Sequence, residues 1–323
     1  MALATGVWVL PESGDIAVWR PAVDDDLSAL PKARVVVQTG FKPAHDHFAA
    51  TGYRTAGDGP FATGLVCLPR AKAQARGMVA LASRAVMPGA MFAVDGQKTD
   101  GIDAVFKDCR AVMPSLADPL SKAHGKLFCV QAGLVPAAWA TGRQAIEQGF
   151  VTVPGVFSAD AIDRGSALLA QALPADLPAR VGDLGAGWGY LSRAVLTRPG
   201  VEHLDVVEAE ADALDCARTN LSDPRAVFHW ADATRFLPEK PWGAVVMNPP
   251  FHLGRDADPD LGIAFIRAAH RGLAPDGSLW LVANRHLPYD RVLAGLFRTV
   301  QEIGGDAAFR LTRATAPIRV RQP

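Results

Sequence analysis

The sequence predicts an α/β protein made of two domains, each built around a mainly parallel sheet. The chain has 323 residues, and a domain averages ~150. Residues 65–94 and residues 245–283 each read as apolar strand, amphipathic helix and apolar strand, which is the order of a βαβ unit. Apolar residues make up 49% of the chain and charged residues 20%. That composition suits ordinary buried cores and excludes a disordered or fibrous protein.

The first domain is placed at residues 1–149. Its strands are predicted at residues 65–68 and 90–94, separated by a helix over 71–86 and a turn at Met87-Pro88-Gly89. Residues 126–131 are interpreted as the closing strand. Residues 136–149 then form a connector, so the boundary falls near Gly149.

The second domain is placed at residues 150–323. Ser158 or Asp160 is expected to cap a helix that runs to Leu173, because short side-chain oxygens accept the free amides of a first turn. A strand at 245–247, a helix over 263–273 and a strand at 279–283 follow. Residues 300–314 predict a final antiparallel hairpin. The repeated order indicates a weak internal duplication, or a chance similarity between two ordinary βαβ units.

Several kinds of protein are excluded by simple patterns. No apolar run reaches the ~18 residues of a membrane span, and residues 1–15 lack the basic start of a secretory signal. The cysteines are far apart and form no C-x-x-C pair, which argues against disulfides or a zinc site. They are Cys67, Cys109, Cys129 and Cys216. His45-Asp46-His47 lacks further metal-ligand partners. We expect a cytoplasmic protein without a metal.

The charge distribution gives only weak support for a nucleic-acid partner. The formal net charge is zero, so bulk electrostatics do not predict a nucleic-acid partner. Residues 63–84 nevertheless hold four cations and no acid, namely Arg70, Lys72, Arg76 and Arg84. A local basic patch can contact phosphates on a neutral protein. A solvated helix face is the alternative.

The sharpest motif is the segment Asp183-Leu184-Gly185-Ala186-Gly187-Trp188-Gly189, which joins a short strand to a helix. Glycines let the backbone approach a ligand closely, and the helix start supplies free amides. The spacing is G-x-G-x-G, unlike the G-x-G-x-x-G of dinucleotide binders. The motif therefore predicts a binding loop, with a plain tight turn as the alternative.

Two acids follow the next two predicted strands. Glu208 ends the strand at 204–207 and can accept hydrogen bonds from both hydroxyls of a ribose. Asp232 follows the strand at 226–230 and is a candidate acceptor for an adenine amine. Exposed acids at helix starts remain the alternative for both.

Asn248-Pro249-Pro250-Phe251 ends the fourth strand, at the edge where open α/β folds bind ligands. A carboxamide oxygen and a proline carbonyl can both accept from an –NH₂ group. Such acceptors orient a poorly nucleophilic amine and stabilise the positive charge that develops when it attacks. Phe251 offers a face on which a planar base can stack.

Together these motifs resemble the class I S-adenosylmethionine-dependent methyltransferases that modify amino groups. Four segments resemble, more narrowly, the bacterial ribosomal RNA guanine-N2 methyltransferases of the RsmC/RlmG type. They are Thr152-Val153-Pro154-Gly155-Val156-Phe157-Ser158, Asp163-Arg164-Gly165-Ser166, Asn248-Pro249-Pro250-Phe251-His252 and Val282-Ala283-Asn284-Arg285-His286-Leu287-Pro288-Tyr289. The strong resemblance covers about residues 150–315. The first half resembles the family's degenerate methyltransferase-like domain.

The resemblance implies two tandem Rossmann-like methyltransferase domains and a methyl transfer from S-adenosylmethionine to the N2 amine of a guanine in ribosomal RNA. The products would be S-adenosylhomocysteine and N2-methylguanosine, without a metal. The donor would contact Asp183, Gly185, Gly187, Gly189, Glu208, Asp232 and Asn248. The catalytic residues would be Asn248, Pro249, Pro250 and Phe251. Phe157, His252, Arg70 and Lys72 would contact the substrate.

The first domain lacks these motifs. It reads Leu68-Pro69-Arg70 where the second domain reads Asn248-Pro249-Pro250. We expect it to recognise RNA or to support the catalytic half, with five cations as phosphate contacts. They are Arg70, Lys72, Arg76, Lys122 and Lys126. The expected partner is ribosomal RNA or a ribosomal subunit, bound by a monomer.

Two other functions stay open from the sequence. The N-P-P-F motif also suits methyltransferases that act on protein glutamine or on adenine N6. A non-catalytic RNA-binding protein with two inactive domains is the third reading. His252, the P-G-V-F-S segment and the duplicated domain favour the ribosomal RNA enzyme.

Overall fold

The structure is a computed structural model that describes residues 3–250, 252–253, 256–257 and 259–319, without the side chains of 251–258. The chain divides into two compact units. One holds Met1–Arg143 with Val153–Gly155, and the other holds Gln144–Thr152 with Val156–Pro323. The predicted boundary at residue 149 lies in the stretch where the chain passes from one unit to the other.

The first unit is a six-stranded sheet flanked by three helices. Its elements are β1 (Ile16–Trp19), β2 (Val35–Gln38), α1 (Lys42–Ala50), β3 (Thr63–Cys67), α2 (Lys72–Ala85), β4 (Met91–Gln97), α3 (Ile102–Val112), β5 (Leu120–Lys122) and β6 (Gly125–Gln131). The strand order is β2-β1-β3-β4-β6-β5. Strands β1 to β4 are parallel, β6 is antiparallel to β4, and β5 is antiparallel to β6. The helix α2 packs one face on this sheet because Ala75, Val79 and Ala82 recur at helical spacing and are all buried.

The second unit is a larger sheet of the same type. Its elements are β7 (Gln144–Ala145), β8 (Val151–Thr152), α4 (Arg164–Ala172), β9 (Arg180–Leu184), α5 (Tyr190–Leu196), β10 (His203–Glu208), α6 (Ala211–Asn220), β11 (Ala226–Trp230), β12 (Trp242–Met247), β13 (His252–Leu253), β14 (Asp256–Ala257), α7 (Pro259–Gly272), β15 (Leu273–Asn284), α8 (Asp290–Leu296), β16 (Phe297–Gly305) and β17 (Phe309–Pro317). The seven-stranded order is β11-β10-β9-β12-β15-β17-β16. All neighbours are parallel except β17, which is antiparallel to both β15 and β16. The predicted terminal hairpin is therefore confirmed.

The predicted cap of the first helix in this unit is wrong. Helix α4 begins at Arg164, and its N-cap is Asp163, whose carboxylate accepts from the backbone N–H of Ser166. Ser158 instead donates its hydroxyl to the carbonyl of Ala161, and Asp160 accepts from Gln144. All three side chains carry a suitable oxygen, so composition alone did not distinguish them.

The two sheets share one strand pattern. If the edge strand β11 is left out, the strand order of the second unit is the same as that of the first. In this match β1 corresponds to β9 and β3 to β12. Each unit also ends its parallel set in an antiparallel hairpin. The two-domain α/β fold is therefore confirmed, and the shared topology supports an internal duplication.

A buried carboxylate on β10 connects three strands of the second sheet. Asp205 is 4% exposed and accepts from the Trp242 indole at 2.8 Å, His229 at 2.8 Å and His203 at 2.9 Å. Burial alone would raise its pKa, but these hydrogen bonds outweigh burial and lower the pKa of Asp205 to about 2. Trp242 lies directly beneath Gly182, where a Cβ would approach the indole to 2.7 Å. Asp205 thus fixes the indole of β12 that lies against Gly182 of β9.

Among the helices within the described ranges, none combines the length and the apolar character that a bilayer crossing requires.

Candidate active site

The predicted site residues lie at the ends of four neighbouring parallel strands of the second unit. Strands β11, β10, β9 and β12 lie side by side in that order and run in the same direction. Their carboxyl ends therefore meet at one edge of the sheet, which is where open α/β folds bind ligands. The glycine loop, Glu208, Asp232 and Asn248 each follow or end one of these strands.

The glycine loop has the backbone that its composition predicts. Gly185, Gly187 and Gly189 have φ angles of +72°, +57° and +91°, which other residues rarely adopt. The N–H groups of Gly185 and Ala186 both donate to the carbonyl of Val207, at 2.9 and 3.1 Å. A Cβ at Gly187 would meet no described atom within 4 Å. The loop backbone therefore borders open space at the sheet edge.

Glu208 is tied to that loop. One carboxylate oxygen accepts from the N–H of Gly187 at 2.8 Å, and the other accepts from the N–H of Glu210 at 2.7 Å. Burial raises the pKa of Glu208, and these backbone donors oppose the rise. A carboxylate has about four lone-pair sites, and the backbone N–H of Ala209 is a third donor, so Glu208 can still accept from a ligand hydroxyl.

Asp183 lies beneath the loop, at the end of β9, with no exposed surface. The hydroxyl of Ser192 donates to its Oδ2 at 2.6 Å. Within the described part of the chain, its Oδ1 has no hydrogen-bond partner. Burial raises the pKa of Asp183 to about 7, with the nearby Glu208 charge adding to the rise. This orphaned oxygen fits a positively charged ligand group.

Asp232 lies half-buried just beyond β11. Its Oδ1 accepts from the backbone N–H and the hydroxyl of Thr234, at 2.8 and 2.6 Å. The neighbouring Ala231 N–H donates to the carbonyl of Glu208 at 3.0 Å. The two acids are therefore held on adjacent strand ends.

Asn248 lies at the end of β12 with its side-chain amide held in place. Its Nδ2 donates to Asp163 Oδ2 and to Ser166 Oγ, both at 2.9 Å. Pro249 is buried and Pro250 is exposed. Phe251 and the side chain of His252, both predicted to meet the substrate, lie outside the described residues.

Trp188 of the glycine loop holds the backbone of Phe157, an exposed aromatic residue. The Trp188 indole donates to the carbonyl of Phe157 at 2.8 Å, while the Phe157 side chain is 59% exposed. Asn220 makes two hydrogen bonds to the backbone of Val151, at 2.8 and 2.9 Å. Phe157 is thereby presented to solvent next to the loop.

Sequence reasoning did not assign roles to Asp163, Ser166 or Asn220. Their partners lie 69 to 85 residues away along the chain. A local pattern carries no such information. The available signals were the resemblance of residues 163–166 to the family and an aspartate that can cap a helix.

The basic stretch of the first unit is partly neutralised. Arg76 forms a hydrogen-bonded ion pair with Asp108 at 2.8 Å, and Lys72 lies 3.4 Å from the same carboxylate. Lys126 pairs with Asp103. These acids come from α3, so a stretch without acids in sequence still has acidic neighbours in space. Two further cations, Arg70 and Lys122, are exposed.

Among the described residues of the first unit, the segment after β1 does not have the G-x-G-x-G spacing of the glycine loop. Arg20 follows β1 as Gly185 follows β9, because each donates its N–H to the adjacent strand at 2.9 Å and each has positive φ.

The same comparison corrects the predicted alignment of the two units. Trp19 pairs with Val66 in the first unit, and the pairs between β9 and β12 place Met247 beside Leu184 in the second. Cys67, not Leu68, therefore corresponds to Asn248. The predicted alignment was wrong by one residue. Cys67 cannot replace the amide, and burial strongly raises the pKa of its thiol.

Across the described ranges, no three His, Cys, Asp or Glu side chains are grouped so that they would hold a metal ion.

The fold and the site together define a class I S-adenosylmethionine-dependent methyltransferase. The family model for the methyltransferase small domain matches residues 147–313, a range that contains the glycine loop, Glu208 and Asn248.

Similar proteins narrow the family. Ribosomal RNA small subunit methyltransferase C of Alcanivorax borkumensis is 34% identical over 227 residues, covering 68% of this chain and 69% of that protein. The protein of the same name from Shewanella loihica is 30% identical over 247 residues, covering 72% and 70%. The chain belongs to the ribosomal RNA small subunit methyltransferase C family.

A solved relative has a similar fold. The Thermus thermophilus 16S rRNA N2 G1207 methyltransferase RsmC, in complex with AdoMet and guanosine, superposes with a TM-score of 0.77 at 25% identity. The superposition covers 95% of this chain and 89% of that one.

Proposed function

We propose that this protein transfers a methyl group from S-adenosylmethionine to the exocyclic N2 amine of a guanine in ribosomal RNA. The observation that carries the proposal is the amide of Asn248, fixed beside the glycine loop with both of its N–H groups already donating. The names of the relatives support ribosomal RNA as the substrate, and the AdoMet and guanosine in the Thermus thermophilus protein support the donor and the base.

The residues at the sheet edge suit this donor. The space beside Gly187 would admit its methionine part, and the orphaned oxygen of Asp183 suits a cationic group there. Glu208 and Asp232 would hold the ribose and the adenine. Bound S-adenosylmethionine carries its methyl group on a sulfonium, so the methyl carbon is already electrophilic.

The chain's task is then to place the amine. The Oδ1 of Asn248 and the carbonyl of Pro249 would accept the two amine protons and aim the nitrogen at the methyl carbon. As the N–C bond formed and the methyl–sulfur bond broke, with its electron pair left on sulfur, positive charge would grow on the nitrogen, and two oriented carbonyl dipoles would stabilise it. The proton then leaves to solvent. Phe251 and the exposed Phe157 are proposed to stack against the base, with His252 as a further contact.

A paired guanine must leave its helix to reach this edge. We assign the first unit to RNA docking or structural support, with Arg70 and Lys72 among its phosphate contacts. The protein is proposed to act as a monomer in the cytoplasm.

A labelled methyl-transfer assay tests the proposal. The substrates are 30S subunits, 50S subunits and naked ribosomal RNA from a strain that lacks the gene, and the labelled nucleosides are resolved by mass. We expect N2-methylguanosine in one RNA. Label in protein glutamine or in N6-methyladenosine would contradict the proposal, as would donor binding without transfer to any of these substrates.

A further inference from the structure

We propose that Asp163 and Ser166 are positioning residues that fix the orientation of Asn248 and, through it, the acceptor amine. This inference rests on the proposed function of Asn248 as the acceptor of amine protons. It adds two residues from the first turn of α4, far from Asn248 in sequence, that touch neither the donor nor the base in the proposed reaction.

The hydrogen bonds determine which way the amide faces. A carboxylate can only accept, so the atom of Asn248 that lies 2.9 Å from Asp163 Oδ2 must be the amide nitrogen. The second N–H donates to Ser166 Oγ, also at 2.9 Å. With both donors committed, Asn248 presents its Oδ1 as an acceptor. A rotated amide would instead point N–H groups at the substrate amine, which could no longer donate to it.

The two positioning side chains are themselves fixed by the helix start. Asp163 is the N-cap of α4, and its Oδ2 accepts from the Ser166 backbone at 2.7 Å as well as from Asn248. Ser166 is 6% exposed. Helix α4 packs against β15 and β17, so the cap moves with the sheet that carries Asn248. One carboxylate oxygen thus joins a helix end to the strand end at the site.

The charge of Asp163 also acts through the amide. Hydrogen bonds to an ionised acceptor are stronger than neutral ones. A carboxylate on the N–H side polarises the amide and makes its Oδ1 a better acceptor. That effect grows in importance as the attacking nitrogen becomes positive, so it favours the transition state over bound substrate.

Exchanging the two groups tests the orientation directly. In Asn248→Asp two carboxylates face each other, and the N–H donors are gone. In the double variant Asp163→Asn, Asn248→Asp, an amide N–H at 163 replaces the oxygen that accepted from the Ser166 backbone, so it donates to the carboxylate at 248 at the expense of the cap. The other oxygen of that carboxylate can still accept. We expect Asp163→Asn to lower kcat in the wild-type background and to raise it at least ~10-fold in the Asn248→Asp background, the scale of one oriented polar contact. If Asp163 only caps α4, Asp163→Asn should change kcat by the same factor in both backgrounds. That result would overturn the inference.

Two further variants separate positioning from folding. Asp163→Ser keeps a good N-cap but shortens the side chain that reaches Asn248, and Ser166→Ala removes the second acceptor. We expect kcat to fall ~10-fold or more in Asp163→Ser and by a smaller factor in Ser166→Ala, with the melting temperature and the calorimetric Kd for S-adenosylmethionine close to wild type in both. Wild-type kcat in Asp163→Ser would contradict the inference.

The assays use the substrate that the wild-type enzyme methylates. If that substrate proved to be another amine or amide, the proposed base would be wrong, while the exchange experiment would still decide the role of Asp163.

Discussion

The backbone N–H of Gly187 donates to Glu208 Oε2 at 2.8 Å. This bond joins the loop after β9 to the end of β10, so the residue proposed to hold the ribose also holds the loop proposed to hold the methionine part. The other oxygen of Glu208 accepts from Glu210 at 2.7 Å. Both parts of the proposed donor site are therefore positioned by one carboxylate.

Replacing Glu208 by glutamine tests this double role. Glutamine has one acceptor oxygen in place of two, so one of the two backbone N–H groups must lose its partner. Losing a hydrogen bond to a charged group costs ~1.5–3 kcal/mol, and we expect the Kd for S-adenosylmethionine to rise about 10- to 100-fold in calorimetry. The control is Glu202→Gln, an exposed acid at the other end of the strand. Equal affinity in both variants would contradict the assignment.

Asn248→Ala separates chemistry from donor binding. The variant removes the proposed acceptor for the amine, so we expect turnover to fall by ~10²-fold or more, the scale of one preorganised polar contact. The Kd for S-adenosylmethionine should change less than about threefold, since losing one peripheral contact costs little. Single-turnover kinetics with saturating donor give the comparison. Unchanged turnover would remove Asn248 from the mechanism.

The strand-end residues could be predicted from sequence because their positions depend on local patterns. Gly185, Gly187 and Gly189 mark a turn that needs positive φ, and Glu208 and Asn248 each end a short apolar strand. The parallel arrangement then forces such ends onto one edge. The same reasoning predicted the terminal hairpin.

The supports of the site could not be predicted in this way. The bond from Asn248 to Asp163 and the salt bridge between Arg76 and Asp108 depend on which elements pack together. The wrong alignment of Leu68 with Asn248 had a related cause. The register of a strand is set by its neighbours, and a shift of one residue leaves the apolar pattern of a strand buried on both faces unchanged.

Donor binding should be linked to a proton at Asp183. Its pKa is raised to about 7 by burial, so at pH 6 about nine tenths of the carboxyl is protonated. A cationic donor favours the ionised form, so binding at pH 6 should release close to one proton, and less at pH 7.5. Calorimetry in two buffers of different ionisation enthalpy measures the release. In Asp183→Asn the buffer dependence should vanish. Identical enthalpies for the wild type in both buffers would contradict the linkage.

The exposed cations of the first unit should carry RNA affinity. Arg70→Glu and Lys122→Glu each replace a proposed phosphate contact. We expect weaker binding of the RNA that the enzyme methylates. The slope of log K against log salt concentration should fall by ~0.7–0.9 per lost contact. Lys240→Glu is the matched control, because it makes the same charge change just before β12, at the opposite end of that strand from Asn248. If all three variants bind alike, the docking role of the first unit is wrong.

Acid stability should depend on Asp205. Its folded pKa is about 2, below the ordinary value of 3.8, so its hydrogen bonds stabilise the fold above about pH 4 and this contribution disappears as the pH falls towards 2. The shift corresponds to on the order of 2 kcal/mol at neutral pH. Asp205→Asn should therefore lower the free energy of unfolding at pH 7 by about that amount or more, and should flatten its change between pH 4 and pH 2. Urea unfolding at several pH values measures both effects. The control is Asp215→Asn, at an exposed carboxylate on α6, which should leave the pH profile of the unfolding free energy unchanged. A wild-type profile in Asp205→Asn would show that the buried hydrogen bonds do not stabilise the sheet.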